Sequence, residues 1–396
     1  MANETLTQAK RAKNDEFYTQ YADIEKEMNA YLEYDSETFK DKVVLLPCDD
    51  PEWSNFTKYF AQNFERLGLK KLISTSYSAS SKPSDVPYQP SLFEVEDERF
   101  DPEKTITNGK IFTLSRSKSN KVNIHDLKWK YLEGDGDFRS DEVKELRDSA
   151  DIIITNPPFS LFREFLAWLV EANKKYAIIG NMNAITYKEV FPLIKENNLW
   201  LGATGNGSDM VFSVPEGSVI SPADKKKAEK LGYEGNYTRL GNSCWFTCID
   251  HGKRHQPIPL MTMEDNLRFN KRLQKIETSY QRYDNYDAIE VPVSSGIPSD
   301  YEGAMGVPIS FLDKYSPEQF KIVGLTSGRD EFECRPTKRY RAPIQHNTNG
   351  STTNGSKANT RATLTMDEVP DATYYTAENA DKPLKIVYAR ILIESI

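Results

Sequence analysis

Asn156-Pro157-Pro158-Phe159 is the tetrapeptide of this chain with the strongest chemical implication. It follows the apolar run Ile152-Ile153-Ile154 and precedes Leu161, Phe162, Phe165, Leu166 and Leu169, so a turn sits between a buried strand and an amphipathic helix. In an open α/β sheet ligands bind outside the carboxyl ends of the strands, where such a turn lies. Two successive prolines fix φ twice and carry no N–H, leaving their carbonyls to face a substrate. An exocyclic amine on an aromatic base is a poor nucleophile, because its lone pair is delocalised into the ring. The side-chain oxygen of Asn156 and the backbone carbonyl of Pro157 can each accept one of its N–H groups, stabilising the positive charge that builds as a methyl group arrives. Phe159 offers a flat face to an extruded base, a stacking contact of roughly 1–3 kcal/mol. The plainer reading of the same residues is a strand-end turn whose prolines only stop the strand.

The elements that would position this turn spell an α/β fold. Val43-Val44-Leu45-Leu46 reads as a buried strand, and Phe56, Tyr59, Phe60, Phe64 and Leu67 recur at helical spacing. Gly68 suits the left-handed position after a helix, and Leu72-Ile73 completes a βαβ unit. Ser140 is placed to cap a helix carrying Val143, Leu146 and Ala150. Tyr176 to Ile179 and Leu199 to Leu201 add strands around a helical stretch, Lys188 to Lys195, that Pro192 should kink or restart. Strands alternating with helices predict a mainly parallel sheet covered on both faces. Ser78 to Trp129 lacks a sustained helical period and reads as an inserted loop with a hairpin. The polar, low-complexity stretch 346–361 reads as a mobile loop, and Leu384 to Ile393 returns to a strand pattern.

Composition narrows the class. A length of 396 residues, 38% hydrophobic and 28% charged, suits two domains in water, and no apolar run approaches the roughly 20 residues of a membrane span. Met1 to Lys13 has no apolar centre of the kind a secretory signal needs. Four scattered cysteines (Cys48, Cys244, Cys248, Cys334) make no disulfide framework, so a cytoplasmic location is expected. The net charge of -8 requires any nucleic-acid face to be local, with candidates at Lys225 to Lys227, Lys253-Arg254-His255, the row from Arg268 to Lys275, and Lys338 to Arg341. Each of these clusters, taken singly, reads more plainly as solvated surface.

Cys244, Cys248, His251 and His255 form a C-x3-C-x2-H-x3-H series that invites a zinc reading. Trp245-Phe246-Thr247 alternates like a strand, however, and residues four apart on a strand are separated by about 13 Å. One zinc needs its ligands within a few ångströms of each other, so no metal site is expected. Buried cysteines next to a basic loop, Lys253, Arg254 and His255, that meets DNA phosphate is the preferred account.

Beyond the tetrapeptide, ordered blocks run through the first 255 residues: Asn14 to Tyr21, Cys48-Asp49-Asp50-Pro51, Ser54-Asn55-Phe56, Gly68 to Ile73, Gly134 to Ser140, Asn156 to Glu164, Ile185 to Phe191, and Asp250-His251 with Lys253 to His255. Through them the chain resembles the adenine-specific DNA methyltransferase family typified by the EcoRI modification methylase. The resemblance implies an α/β, Rossmann-like methyltransferase core that uses S-adenosyl-L-methionine to methylate N6 of an adenine flipped out of double-stranded DNA, with Asn156, Pro157, Pro158 and Phe159 as the catalytic turn. It further implies that Phe17, Tyr18 and Thr19 close over the methionine part of the cofactor. Pro47, Cys48, Asp49 and Asp50, standing where relatives keep a Gly-rich loop, would meet it too, with Asp49 or Asp50 taking the ammonium group. Asp135, Asp137 and Phe138 would hold its adenine, Phe138 by stacking, and Tyr77 is a further candidate for the ribose or the adenine face.

Residues 1–202 are accordingly expected to form the catalytic domain, with an insertion at about 78–130, and residues 203–396 the C-terminal target-recognition region. The expected assembly is a monomer. A cognate restriction endonuclease would form no stable complex with it. The competing readings are methylation of another amine (cytosine N4, an RNA base, a protein glutamine) and a catalytically silent DNA-binding protein.

Overall fold

The computed structural model describes residues 17–50, 54–78, 100–116, 129–205, 210–214, 218, 220–276, 279–327 and 334–396. Asp15, Glu16, Pro51 and most of the expected insertion lie outside them. The chain divides into two compact units, residues 1–182 with 200–252, and residues 183–199 with 253–396. Among the described residues no helix is long and apolar enough to cross a membrane.

In the first unit, β1 (Tyr18–Thr19) leads into α1 (Tyr21–Tyr34), which buries Ile24, Met28 and Tyr31 on one stripe. There follow β2 (Val43–Leu46), α2 (Asn55–Gln62), β3 (Lys71–Thr75), α3 (Pro102–Thr107), β4 (Lys110–Ser115) and β5 (Trp129–Tyr131). The Ser54 hydroxyl accepts from Phe56 N and caps α2, and Gly68 takes φ 65° before β3, as its place in the sequence requires. Ser140 caps α4 (Asp141–Ser149) by accepting from Val143 N. Then come β6 (Ile152–Thr155), α5 (Phe162–Glu171), β7 (Lys175–Asn181), β8 (Trp200–Leu201), β9 (Val211–Ser213), β10 (Tyr237–Arg239) and β11 (Ser243–Thr247).

Eight strands form one sheet in the order β5-β4-β3-β2-β6-β7-β11-β8. Val44 and Leu46 turn to a cluster with Met28, Tyr31, Phe56 and Phe60. The pleat sends Leu45, Ile73, Ile153 and Ile178 to the opposite face, and α4 packs against β2 and α5 against β7. Only β3, β2, β6 and β7 are mutually parallel; β4, β5, β11 and β8 are joined by antiparallel pairings. The mainly parallel expectation therefore fails at both edges, because an apolar run reports burial, which strands of either direction share. β11 lies between β7 and β8, so the sheet is complete only at Thr247, and the unit ends at Gly252 instead of the expected residue 202. A second, antiparallel sheet, β1-β9-β10, sets Tyr18 opposite Ser213 and Thr19 opposite Phe212.

The second unit holds a short helix, Phe191–Lys195, with Pro192 in its first turn, and two sheets. Strands β12 (Ile289–Glu290), β13 (Met305–Pro308), β14 (Phe320–Leu325) and, near the end of the chain, β20 (Arg390–Ser395) make the first, in the order β12-β13-β20-β14. The other consists of β15 (Ile344–His346), β16 (Thr352–Asn354), β17 (Thr363–Thr365), β18 (Tyr374–Thr376) and β19 (Leu384–Ile386), in the order β16-β15-β18-β19-β17. The stretch 346–361, expected as a loop, thus contains a strand and a 3-10 turn (Ser356–Asn359). Its polarity had suggested a segment without a core, but Ala358 is fully buried beside Tyr340, Tyr375 and Leu384.

Candidate active site

In the large sheet the chain passes from β2 to β3 on one side and returns to β6 on the other, so a crevice opens at the carboxyl ends of β2 and β6. A cavity of about 290 Å³ fills it. Four separate stretches converge there: Phe17 to Thr19, Pro47 to Asp50, Asp137 with Phe138, and Asn156 with Pro158. Of the other expected residues, Pro157 is buried within the turn and Phe159 packs on Phe17, ring centroids 5.4 Å apart at 31°. Asp135 accepts from Asp137 N and, through its carbonyl, from Ser78 N, shaping the loop without lining the cavity.

Asn156 leaves β6 at its carboxyl end. Its Nδ2 donates to the Phe17 carbonyl at 2.6 Å, which fixes the orientation of the amide, since a carbonyl accepts only from a donor. The Asn156 Oδ1 is then left buried with no hydrogen-bond partner among the described residues. Buried acceptors are nearly always paired, so this atom marks a place where a donor is missing. Thr19 Oγ1, on a residue 3% exposed that lines the same cavity, is likewise unpaired, and Asn55 Nδ2 holds the Thr19 carbonyl at 2.8 Å.

Asp49 is buried at the end of β2. Its two oxygens accept from Ser54 Oγ and Thr155 Oγ1, each at 2.7 Å, and its backbone N–H donates to Thr75 O. Burial pushes its carboxyl up to about 7, against the pull of the Thr155 and Ser54 hydroxyls. Asp49 therefore ties β2, β3, β6 and α2 together, and Asp50, half-buried on the cavity wall, is better placed of the two for a ligand cation.

Asp137 accepts from Arg139 Nη2 at 2.7 Å and from the Tyr77 hydroxyl at 3.3 Å, and the Arg139 hydrogen bond holds its carboxyl below the usual range. Phe138 is only 5% exposed, its ring edge-on to Phe165 and Trp168 at 5.1 and 5.7 Å. The Arg139 guanidinium lies over the same ring, 5.4 Å from its centroid. Tyr77, also on the wall, takes over as the aromatic candidate. The loop is pressed on β3: Gly136 has φ 85°, and a Cβ there would meet the Ser76 carbonyl at 2.2 Å. Sequence reasoning missed Ser76 and Gly136. Gly-Asp-Gly was legible as a turn, but the surface it crosses was not.

The basic loop Lys253, Arg254, His255 is not a free phosphate patch. Lys253 Nζ bonds Asp313 at 2.5 Å, Arg254 is 7% exposed and holds Asn197, and His255 Nδ1 bonds Glu318 at 2.6 Å. All three side chains thus have partners within the second unit, two of them carboxylates. Cys248 Sγ lies 3.3 Å from Tyr176 N and His251 Nε2 2.9 Å from Leu201 O, so these members of the Cys/His series have backbone partners.

Residues 5–395 match the family described as adenine-specific methyltransferase EcoRI. The chain is 42% identical over 330 residues to the type II methyltransferase M.EcoRI of Escherichia coli, covering 83% of this chain and 91% of the relative. It is 35% identical over 319 residues to the type II methyltransferase M.MpnI of Mycoplasma pneumoniae (80% and 84% covered), and 34% over 319 residues to M.MgeORF184P of Mycoplasma genitalium (80% and 85%). No solved structure matches.

Proposed function

From the premise that the chain belongs to the adenine-specific methyltransferase EcoRI family, and is a site-specific DNA adenine methyltransferase, we propose that the first unit is its Rossmann-like catalytic core. The observation that carries the reading is the buried, unpaired Oδ1 of Asn156 on the cavity wall, beside a Pro-Pro turn. In this reading Oδ1 and the Pro157 carbonyl accept the two N–H groups of adenine N6 in an extruded base and localise its lone pair. No group with a perturbed pKa has to remove a proton first. The Phe17 carbonyl keeps the Asn156 amide from rotating, and Phe159, backed by Phe17, gives the base a rigid apolar neighbour.

The cavity suits S-adenosyl-L-methionine, which supplies an activated methyl group on a cationic sulfonium. Asp50 lies on the wall as a carboxylate for the ligand's cationic end, Thr19 offers a hydroxyl unpaired among the described residues, and Tyr77 supplies an aromatic face. The second unit is assigned to target reading. Four free cysteines support work in the reducing cytoplasm.

The test is transfer of labelled methyl groups from S-adenosyl-L-methionine to unmodified duplex DNA, followed by nucleoside analysis and single-molecule mapping. N6-methyladenine at one repeated motif is expected. Label in N4-methylcytosine would move the amine, and label only in RNA or protein would remove DNA as substrate.

A further inference from the structure

Between Cys334 and Met366 the sequence contains no Asp or Glu, yet it carries Arg335, Lys338, Arg339, Arg341, Lys357 and Arg361, in a chain whose net charge is -8. A hairpin kept only for solubility would mix both signs. Arg339, Arg341 and Lys357 are exposed and form no ion pair among the described residues, in contrast to Lys338, which bonds Asp284 at 2.8 Å.

The backbone inside this segment is tightly specified. Strands β15 and β16 pair in register, Ile344 with Asn354 and His346 with Thr352. Their turn is closed by Asn347 N to Ser351 O, with Gly350 at φ 80°. A Cβ on Gly355 would meet Pro343 at 2.5 Å, so the ribbon's base is pinned as well. One face is committed to the interior: the Tyr375 hydroxyl donates to Gln345 Oε1 at 2.7 Å, and Tyr375 is buried. Alternation then puts Ile344, His346, Thr352, Asn354, Tyr374 and Thr376 on the other face. There the His346 ring lies flat on Tyr374, centroids 4.5 Å apart and planes within 4°, with Nε2 2.9 Å from Thr376 Oγ1. β16 is the edge strand and all three of its residues are exposed.

We propose that this β15–β16 ribbon, flanked by Arg339, Arg341 and Lys357, is the surface through which the second unit reads duplex DNA. The inference rests on the DNA methyltransferase reading and adds the element that sets its specificity. A two-stranded ribbon fits the major groove, where Asn, Thr and His side chains address base edges, while the flanking cations meet phosphate and fix the register.

Two variants test it beside the unaltered protein. Arg339→Gln/Arg341→Gln/Lys357→Gln is expected to weaken duplex binding and to reduce the slope of log affinity against log salt by about 0.9 for each cation lost. His346→Ala/Asn354→Ala is expected to relax the motif found by single-molecule mapping, with S-adenosyl-L-methionine binding unchanged in both. An unchanged salt slope in the first, or an unchanged motif in the second, overturns the proposal. Failure of the underlying reading looks different: the unaltered protein itself would put no methyl group on DNA adenine.

Discussion

Asn156 and Phe17, 139 residues apart, are joined by a 2.6 Å hydrogen bond from the Asn156 amide to the Phe17 carbonyl, and that bond aims Oδ1 at a place with no donor. Asn156→Ala removes acceptor and anchor together. We expect methyl transfer to fall by about 100-fold or more, the scale of losing one preorganised polar group in a site, while duplex binding holds in a gel-shift assay. Asn156→Asp keeps an acceptor but sets a carboxylate against the Phe17 carbonyl, so its rate should fall too. Near-normal turnover in the Asp variant would show that the Phe17 contact is dispensable.

Under the proposed reading, Asp49 is expected to link cofactor binding to pH. Burial raises its carboxyl from an ordinary 3.8 to about 7, so the ionised form is disfavoured in the empty fold. The sign follows: this group's contribution to stability is full below about 3.8 and is lost as pH rises through 7. A cationic ligand in the cavity favours the ionised form. Its affinity should therefore rise with pH through 7 and drop by up to about tenfold per unit below it. Calorimetric titration with S-adenosyl-L-methionine, run in parallel on Asp49→Asn to remove the ligand's own titration, measures this. Parallel pH profiles in the two proteins would refute the linkage.

The place of the Asn156–Phe159 turn was legible because it is written in contiguous residues, needing only a strand before it and a helix after it. The same holds for Gly68 and Ser140, whose roles are local backbone geometry. Asp49 shows where legibility ends. Its identity was visible, but its occupation by Ser54 and by Thr155, 106 residues away, depends on which strands become neighbours. The partners of Lys253, Arg254 and His255 were hidden for the same reason, since a basic triplet does not announce the Asp313, Asn197 and Glu318 beside it. Strand direction at the sheet edges was hidden because Ser243 to Thr247 is as buried as any parallel strand.

Gly136 and Gly134 make a matched pair for testing the loop against β3. A Cβ on Gly136 would sit 2.2 Å from the Ser76 carbonyl at φ 85°, whereas one on Gly134 would meet only Glu142 Oε2, at 3.9 Å. Gly136→Ala should cost at least tenfold in S-adenosyl-L-methionine affinity and lower the melting temperature, with Gly134→Ala close to the unaltered protein. Equal behaviour of the two would mean that the loop does not need its close approach to Ser76.

In the second unit, Glu290 (side chain 4% exposed) accepts from Arg390 Nη2 at 2.7 Å and from Nε at 3.0 Å, and the Tyr283 hydroxyl also bonds it. A charge this deeply buried costs several kcal/mol if its partner is removed. Arg390→Met should destabilise by about 3–5 kcal/mol in denaturant unfolding, because it strands the Glu290 carboxylate between β12 and β20. Adding Glu290→Gln should restore much of the loss, since the neutral amide retains a hydrogen bond to Tyr283 and no longer needs a cation. If the double variant is no more stable than Arg390→Met alone, the loss comes from packing around the missing guanidinium, and the pair holds the sheet by shape instead of charge.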